Sequence, residues 1–488
     1  MGSLGRSAGV GEDRRDVVHY LRTTPRGHPP TAGLGFRPAI GSKNTTNYRR
    51  QTKPRMAFIR AIGRWALTGL VINCIIGGSI FGLPGELNRL LGSSSPLAMV
   101  AGALAIGVFI ACAAEVGSRF PVAGGTYVYV RQAFGRFAGL QAAWFYLLAT
   151  LGGVAAVANV FVSYLGGLVP SLATGWARPL TTAVLIAVPT TINCLGVRSG
   201  AALSSVFAVA KLLPLALLIV LGLSHPSVHT ALMPAADLPT PSLAAWFTAL
   251  LAVLFAYGGW EDALVPCEEV KEPRRTLPFA LTAGLIVSAL TYTLVQSVTV
   301  ITVGSTATDH PLADIGSVLM GRAGGVFVSA AAMVSTYGYI TASLLAATRL
   351  PYSLAAEGDG PAFLATLHSR FHTPVYAIVT FAVIAWALAA SGTFLWALAL
   401  SAGSMALIYA GICASLLQLR RAKPSGDFLR VPFGPVLAVA GIILCATLLA
   451  QLDATHALLM LMTAALATGN WLWAVRQAHN SRQSVPQS

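Results

Sequence analysis

The chain has 488 residues, 55% of them hydrophobic and only 10% charged, with a mean hydropathy of +0.69. Soluble domains carry roughly 25% charged residues, so an ordinary water-facing fold is excluded, and a bilayer is the environment that fits. The formal net charge of +15 does not point to nucleic acid, because the basic residues lie in one tail and in short loops between apolar runs.

The tail comes first. Residues 1–55 hold Arg6, Arg14, Arg15, Arg22, Arg26, Arg37, Lys43, Arg49, Arg50, Lys53 and Arg55 against Glu12, Asp13 and Asp16. They show no hydrophobic periodicity and no apolar core of a secretory signal, so they read as a disordered basic tail. At Met56 the character changes at once, to MAFIRAIGRWALTGLVINCIIGG. Two readings stand: a tail that contacts anionic lipid, or a misassigned start with Met56 as the initiator. The abruptness of the change favours the second.

A helix needs about 20 mostly apolar residues to cross the hydrocarbon. Twelve stretches qualify, at roughly 66–91, 96–117, 137–168, 178–196, 203–223, 245–266, 278–303, 323–347, 373–391, 394–417, 433–451 and 455–475. The fold class is therefore an all-α membrane protein. With the N-terminus in the cytoplasm, the cytoplasmic segments from Met56 onward hold seventeen Lys and Arg, and the outer loops only Arg89, Arg178 and Arg322. That asymmetry sets both termini inside and supports an even number of spans.

The first span is interrupted. IIGGSIFGLPG places Gly77, Gly78, Ser79, Gly82, Pro84 and Gly85 within it. Such density predicts a helix that unwinds at membrane depth, tolerated only where protein or a polar cavity receives the backbone. The sixth span repeats the feature: FAYGGWEDALVPCEE carries Gly258 and Gly259, then Glu261, Asp262 and Pro266. Two interrupted helices in corresponding positions point to an inverted-repeat transporter and its site. A half-helix N-terminus suits a carboxylate and a half-helix C-terminus suits an ammonium. Two breaks side by side can hold both ends of an α-amino acid by backbone alone.

Four motifs in register carry a resemblance: IGGSIFGLP at 76–84, Glu115 with SRFPVAGGTYVYVRQAFG at 118–135, FAYGGWED at 255–262 running into EEVKEPRRTLP, and RLPYSLAAEGDGP at 349–361. In these the chain resembles the amino acid–polyamine–organocation (APC) transporter superfamily over about residues 60–430. The resemblance implies a LeuT-type core of five plus five helices, at 56–223 and 245–417, then two accessory helices at 430–476 and a cytoplasmic tail at 477–488. It implies alternating access around a site formed by Ile76, Gly77, Gly78 and Ser79 with Phe255, Ala256, Tyr257 and Gly258. Gly77, Gly78 and Ser79 would receive the substrate carboxylate, and the carbonyls of Phe255, Ala256 and Tyr257 the amino group. Phe255 falls where the family often places an aromatic gate. Ser79 stands where the family's small–Ser–Gly order expects glycine.

Lys211 lies inside the fifth span, in FAVAKLLPLALLIVL. An intramembrane lysine is costly and by default functional, although a snorkelling lysine near the inner end is the alternative. In sodium-independent relatives a lysine here occupies the place of a sodium ion against spans one and eight, so no sodium requirement is expected. Ser335 and Thr336 would face it. Glu261 and Asp262, below the sixth-span break, read either as proton-coupling or gate residues, Glu261 foremost, or as partners of loop arginines. Glu115 reads as a structural ion pair, and the run from Glu268 to Arg275 as a solvated, topology-fixing loop. Tyr257, Trp260, Tyr337 and Tyr339 are candidate site aromatics.

The expected partners are an amino acid or amine, a proton and lipid, with no nucleic acid; no cofactor and no metal is expected. Cys74, Cys112, Cys194, Cys267, Cys413 and Cys445 form no CxxC pair and read as small buried hydrophobes. His368 and His372 are four apart but stand in a loop. No GxxxxGK[ST] pattern is present, against an ATP-driven pump. A membrane enzyme would need a catalytic constellation, and a channel a continuous polar pore. The reading is a secondary active amino acid transporter of the inner (plasma) membrane, proton-coupled and sodium-independent, with an exchanger, or a sensor on a transporter fold, as alternatives. No acidic side chain is clearly placed in the pocket, which tilts the substrate towards neutral amino acids.

Overall fold

The structure is a computed structural model that describes residues 62–119, 126–195, 201–225, 241–264, 270–303, 309–371, 373–421 and 428–483. The basic tail, the start at Met56, Cys267, Glu268, Glu269 and His372 lie outside these residues. The chain winds through α1 (Arg64–Ile75), α2 (Ser79–Leu91), α3 (Ser95–Arg119), α4 (Thr126–Phe134), α5 (Arg136–Leu168), α6 (Ala177–Cys194), α7 (Ala201–Leu223) and α8 (Leu243–Ala256). It continues through α9 (Pro273–Val303), α10 (Pro311–Ala347), α11 (Arg349–Ala356), α12 (Val375–Ser391), α13 (Phe394–Arg421), α14 (Gly434–Leu449) and α15 (Ala454–Gln483). Among the described residues the backbone outside helices pairs once in β fashion, between Ile62 and Val270.

Among the described residues each of the twelve expected spans is mostly helical, the first and sixth with their interruptions. Long apolar helices capable of crossing a bilayer occur at 79–119, 136–168, 243–262, 273–303, 311–356, 394–421 and 454–477, with shorter apolar ones at 64–75, 211–223, 375–391 and 434–449. Three details differ from the sequence expectation. The eighth span is preceded by a further helical segment: Pro311–Ala347 is two helices meeting at a kink where Gly321 adopts φ 70°, and the second of them begins beside residue 323, as expected. Residues 126–134, outside the expected spans, are helical and end where Gly135 turns at φ 89°. Residues 349–356 form a further short helix.

The core is built on small residues. Between lipid tails, helices gain little from hydrophobicity and associate by close packing. On α5, Gly152 and Gly153 and the alanines around them are buried. A Cβ at Gly152 would meet the Ala397 carbonyl and the Ser401 amide nitrogen at 3.0 Å, so α5 and α13 touch backbone to backbone. Ser401 Oγ donates to Ala149 O at 2.7 Å across the same seam. Gly102 on α3 receives Val253 of α8, and Gly284 on α9 receives Val71 of α1. Outward faces carry the opposite signature: Val436, Val439 and Ile443 on α14, and Leu458, Leu461 and Leu466 on α15, are exposed, as lipid-facing side chains must be.

Polar cross-links close one end. Glu115, fully buried, accepts from Arg420 Nε at 2.8 Å, Arg420 Nη2 at 2.5 Å, Arg119 Nη2 at 3.0 Å and the Val431 amide at 2.9 Å. One carboxylate thus joins α3, the end of α13 and the segment leading to α14. Arg136 pairs with Asp359, whose carbonyl also accepts from Asn470 Nδ2 at 2.6 Å.

Gly152→Ile should lower the unfolding midpoint in detergent, corresponding to about 1–3 kcal/mol of overpacking, whereas Val439→Ala on the lipid face should leave it nearly unchanged. Arg420→Ala should cost about 3–5 kcal/mol, because it strips the buried Glu115 of its bidentate partner; the same thermal assay reads it.

Candidate functional site

The first span breaks between α1 and α2, at Ile76, Gly77 and Gly78. Its freed carbonyls are taken up by side chains of three other helices. Tyr292 Oη on α9 donates to Ile75 O at 2.8 Å. Lys211 Nζ on α7 donates to Ile76 O at 3.2 Å and, more weakly, to Asn73 O at 3.5 Å. Ser335 Oγ on α10 donates to Gly77 O at 3.2 Å. Glycine is needed here by crowding: a Cβ at Gly78 would lie 2.6 Å from Val157 and 2.9 Å from Thr336.

The sixth span breaks after α8. Tyr257, Gly258 and Gly259 lead into a short 3-10 turn, Trp260–Leu264. Gly259 sits at φ +101°, and a Cβ there would lie 2.4 Å from Cys74 O. The two breaks therefore press against one another. Packing is crosswise: α1 lies against the 260–264 turn and α2 against α8, so the two broken spans run in opposite directions. Tyr292 joins them, since its hydroxyl is also 3.1 Å from Ala256 O. Ser79 Oγ reaches the same carbonyl at 3.5 Å.

Where the breaks meet, a cavity opens. Its walls are Cys74, Ile75, Gly77, Gly78 and Ser79 from the first span, Ala149, Thr150 and Val157 from α5, and Phe255, Gly258, Gly259, Glu261 and Asp262 from the sixth span. Tyr339 of α10 and Ser401 and Met405 of α13 complete it. Gly77, Gly78, Ser79, Phe255, Gly258 and Glu261 from the expected set line this cavity. Ile76, Ala256, Tyr257 and Lys211 stand behind it. Ile76 gives its carbonyl to Lys211. Tyr257 points away, its hydroxyl donating to Met99 O at 3.1 Å. The carbonyls of Phe255 and Ala256 already accept bonds, from Gly258 N–H and from Tyr292, so an arriving ammonium would use their second lone pairs.

Lys211 is 3% exposed and holds the unwound backbone of the first span. It does not snorkel. Ser335 and Thr336 lie near this region but do not bond to Lys211: Ser335 serves Gly77, and Thr336 Oγ1 donates to Ala332 O of its own helix at 2.7 Å. Trp260 stacks on Tyr409, ring centroids 5.5 Å apart, and is packing rather than lining. His368 Nδ1 accepts from the Arg370 amide at 3.2 Å, a local turn contact.

The acidic residues correct the sequence reading most. No carboxylate was expected clearly inside the pocket, yet Glu261 and Asp262 both line it. Neither pairs with a loop arginine among the described residues. Glu261, 2% exposed, accepts from Tyr409 Oη at 3.2 Å through one oxygen, while the other, Oε1, has no hydrogen-bond partner. Asp262 accepts from Tyr146 Oη at 2.5 Å. The physical reason is the break itself: the tight 3-10 turn carries residues 260–264 inward against α1 instead of down to a loop. Tyr146, Tyr292 and Tyr409 were missed by sequence reasoning. The available signal was a tyrosine deep in an apolar span, whose hydroxyl must find an acceptor when buried.

Chemically, the cavity offers the first amides of α2, which have no preceding turn to bond to, as a seat for an anion. It offers carbonyls at the end of α8 for a cation, and two carboxylates beyond. Residues 62–475 match the family model described as Amino acid permease. The chain is 29% identical over 405 residues to a serine/threonine exchanger, SteT, of Bacillus subtilis, covering 77% of this chain and 88% of that protein. It is 30% identical over 344 residues to the Asc-type amino acid transporter 1 of Mus musculus, covering 67% and 64%. It is 28% identical over 340 residues to the large neutral amino acids transporter small subunit 2 of Oryctolagus cuniculus, covering 66% and 63%. The match thus spans less than two thirds of the two mammalian relatives.

Gly259→Ala should be poorly tolerated. The positive φ costs about 1–3 kcal/mol for a non-glycine residue, and the new methyl must push the sixth-span break off Cys74. The expected result is a lowered unfolding midpoint together with loss of ligand-induced stabilisation, read by thermal shift.

Proposed function

Since the chain belongs to the amino acid permease family of the APC superfamily, we propose that it is a secondary active amino acid transporter working by alternating access around the two helix breaks. The observation that carries the proposal is the cavity at those breaks, with a half-helix N-terminus on one wall and a half-helix C-terminus on another. In the segment Gly77, Gly78 and Ser79, the amides of Gly78 and Ser79 receive the carboxylate, assisted by the dipole of α2, while the Gly77 amide already donates to Ile75 O at 2.8 Å. The end of α8, at Phe255 to Gly258, receives the ammonium, with Phe255 over the substrate. The relatives' names cover serine, threonine and large neutral amino acids, which supports an α-amino acid as substrate.

Coupling is to protons and not to sodium. Lys211 supports this: its ammonium fills a site built of unwound carbonyls, the ligands a sodium ion would otherwise use. Glu261, buried with a free oxygen in the cavity, is the proton carrier. The crosswise, opposed packing of the broken spans supports two inverted halves at 56–223 and 245–417, with accessory helices at 430–476. The excess of basic residues in alternate loops supports both termini in the cytoplasm, and the plasma membrane is the location proposed with the transporter reading. A second reading, obligatory exchange, is favoured by the Bacillus relative, which is named as a serine/threonine exchanger.

Purified protein in liposomes, screened with radiolabelled amino acids, should accumulate one class when the outside is acidified, undiminished when choline replaces sodium. Lys211→Ala should reduce uptake about tenfold or more, because it leaves buried carbonyls unpaired, at roughly 1–3 kcal/mol each. Uptake that needs sodium would overturn the coupling assignment. Uptake that needs a counter-substrate inside, whatever the pH gradient, would establish exchange.

A further inference from the structure

The cavity holds more negative charge than an α-amino acid requires. Its backbone groups already answer the carboxylate and ammonium of such a substrate. Glu261 and Asp262 are additional, and no Lys, Arg or His lines the cavity with them. From the elements packed around the pair, the titratable groups facing it are Tyr146 of α5, Tyr409 of α13, Tyr339 of α10 and Cys74 of α1, none of them cationic. Lys211 is committed to Ile76 O and Asn73 O, across the first span. Each carboxylate has one tyrosine hydroxyl as a side-chain hydrogen-bond partner, Tyr409 for Glu261 and Tyr146 for Asp262, and the backbone N–H groups of Gly259 and Glu261 also bear on the Glu261 carboxylate. Glu261 Oε1, in a side chain 2% exposed, has no hydrogen-bond partner.

Two neighbouring carboxylates out of water cannot both stay ionised without compensation. The compensation has two sources, a proton or a cation brought in from outside. The placement suits the second as well as the first. Asp262 N–H bonds to Gly259 O, so the pair lies one 3-10 turn past the break, roughly 6 Å further along the span. That separation is within the reach of an extended, amine-tipped side chain on an amino acid anchored at the breaks, and both carboxylates line the same cavity.

The geometry points to a side-chain subsite: Glu261 and Asp262 receive the second positive charge of a dibasic amino acid such as lysine or ornithine. The inference rests on the transporter reading above and deepens it. With a neutral substrate the pair carries a proton. With a dibasic substrate the side-chain ammonium takes the proton's place, so the two compete for the same oxygens. Glu261 Oε1 is the acceptor left open for either.

The test uses the full chain in liposomes. Uptake of the best-transported labelled neutral amino acid is inhibited with unlabelled lysine, ornithine or norleucine, the last having lysine's carbon chain without its ammonium. At an external pH of about 8, lysine or ornithine should inhibit at about tenfold lower concentration than norleucine. At a pH of about 5.5 that advantage should shrink, as protons fill the pair. Joint replacement Glu261→Gln and Asp262→Asn, which also removes the proton carrier, is read by ligand-induced thermal stabilisation of the purified protein instead of uptake, and there the advantage of lysine over norleucine should disappear. If that variant does not elute as a folded protein, the wild-type lysine-to-norleucine ratio at the two pH values decides alone. Equal inhibition by lysine and norleucine at both pH values would overturn the subsite while leaving amino acid transport standing. Absence of any uptake or exchange would overturn both readings.

Discussion

A backbone that leaves helical geometry inside a bilayer exposes groups that neither lipid nor water can satisfy, at several kcal/mol each. The polar contacts around the two breaks answer that one constraint. Ile75, Ile76 and Gly77 lose their helical partners, and Tyr292, Lys211 and Ser335 arrive from three different helices to replace them. The positions of α7, α9 and α10 around the first span follow from this, because each must bring a donor to within bonding distance of one carbonyl. Lys211 is the extreme case: a charge that would be prohibitive in hydrocarbon is held by backbone dipoles that would themselves be stranded without it.

The same economy governs the packing. Where backbone must approach backbone, side chains have to vanish. Gly152 on α5 lets α13 lie directly against it, and Gly259 lets the sixth-span break rest on Cys74. These contacts set the cavity's walls at fixed separations while keeping the breaks free of bulky filler. The Glu115 cluster then ties α3 to the end of α13 and the segment before α14, away from the cavity.

The spans, their order and the two interruptions were legible in the sequence because each is a local signal: apolar length, glycine density, a proline. Lys211 was legible for the same reason, one charge in an unbroken apolar run. The resemblance set it against spans one and eight, but which carbonyls it meets was not legible, since residues 73 and 76 carry no sequence signature for that and their carbonyls become available only once the helix unwinds. Glu261 and Asp262 were visible as residues but misplaced as surroundings. Their sequence neighbours suggest the inner end of a span, and only the tight turn at 260–264 brings them onto the cavity. Gly321 and the helix at 126–134 escaped because a glycine in an apolar run and a short amphipathic stretch each fit more than one conformation. The tyrosines Tyr146, Tyr292 and Tyr409 fit ordinary packing equally well until their acceptors are known.

Tyr292 carries a further consequence. A phenol has a single proton, yet its oxygen stands within bonding distance of Ile75 O on one broken span and Ala256 O on the other. While the breaks are together the proton is shared. Any movement that draws the two spans apart forces a choice: Ile75 O would keep the Gly77 amide at 2.8 Å, whereas Ala256 O would keep only the long 3.5 Å contact from Ser79 Oγ. If the carbonyl that loses is Ala256 O, it lies beside the cavity, where the donor at hand is an ammonium. The hydroxyl is therefore an arbiter between two half-helices, and its one proton makes their separation and the filling of the cavity a single accounting problem.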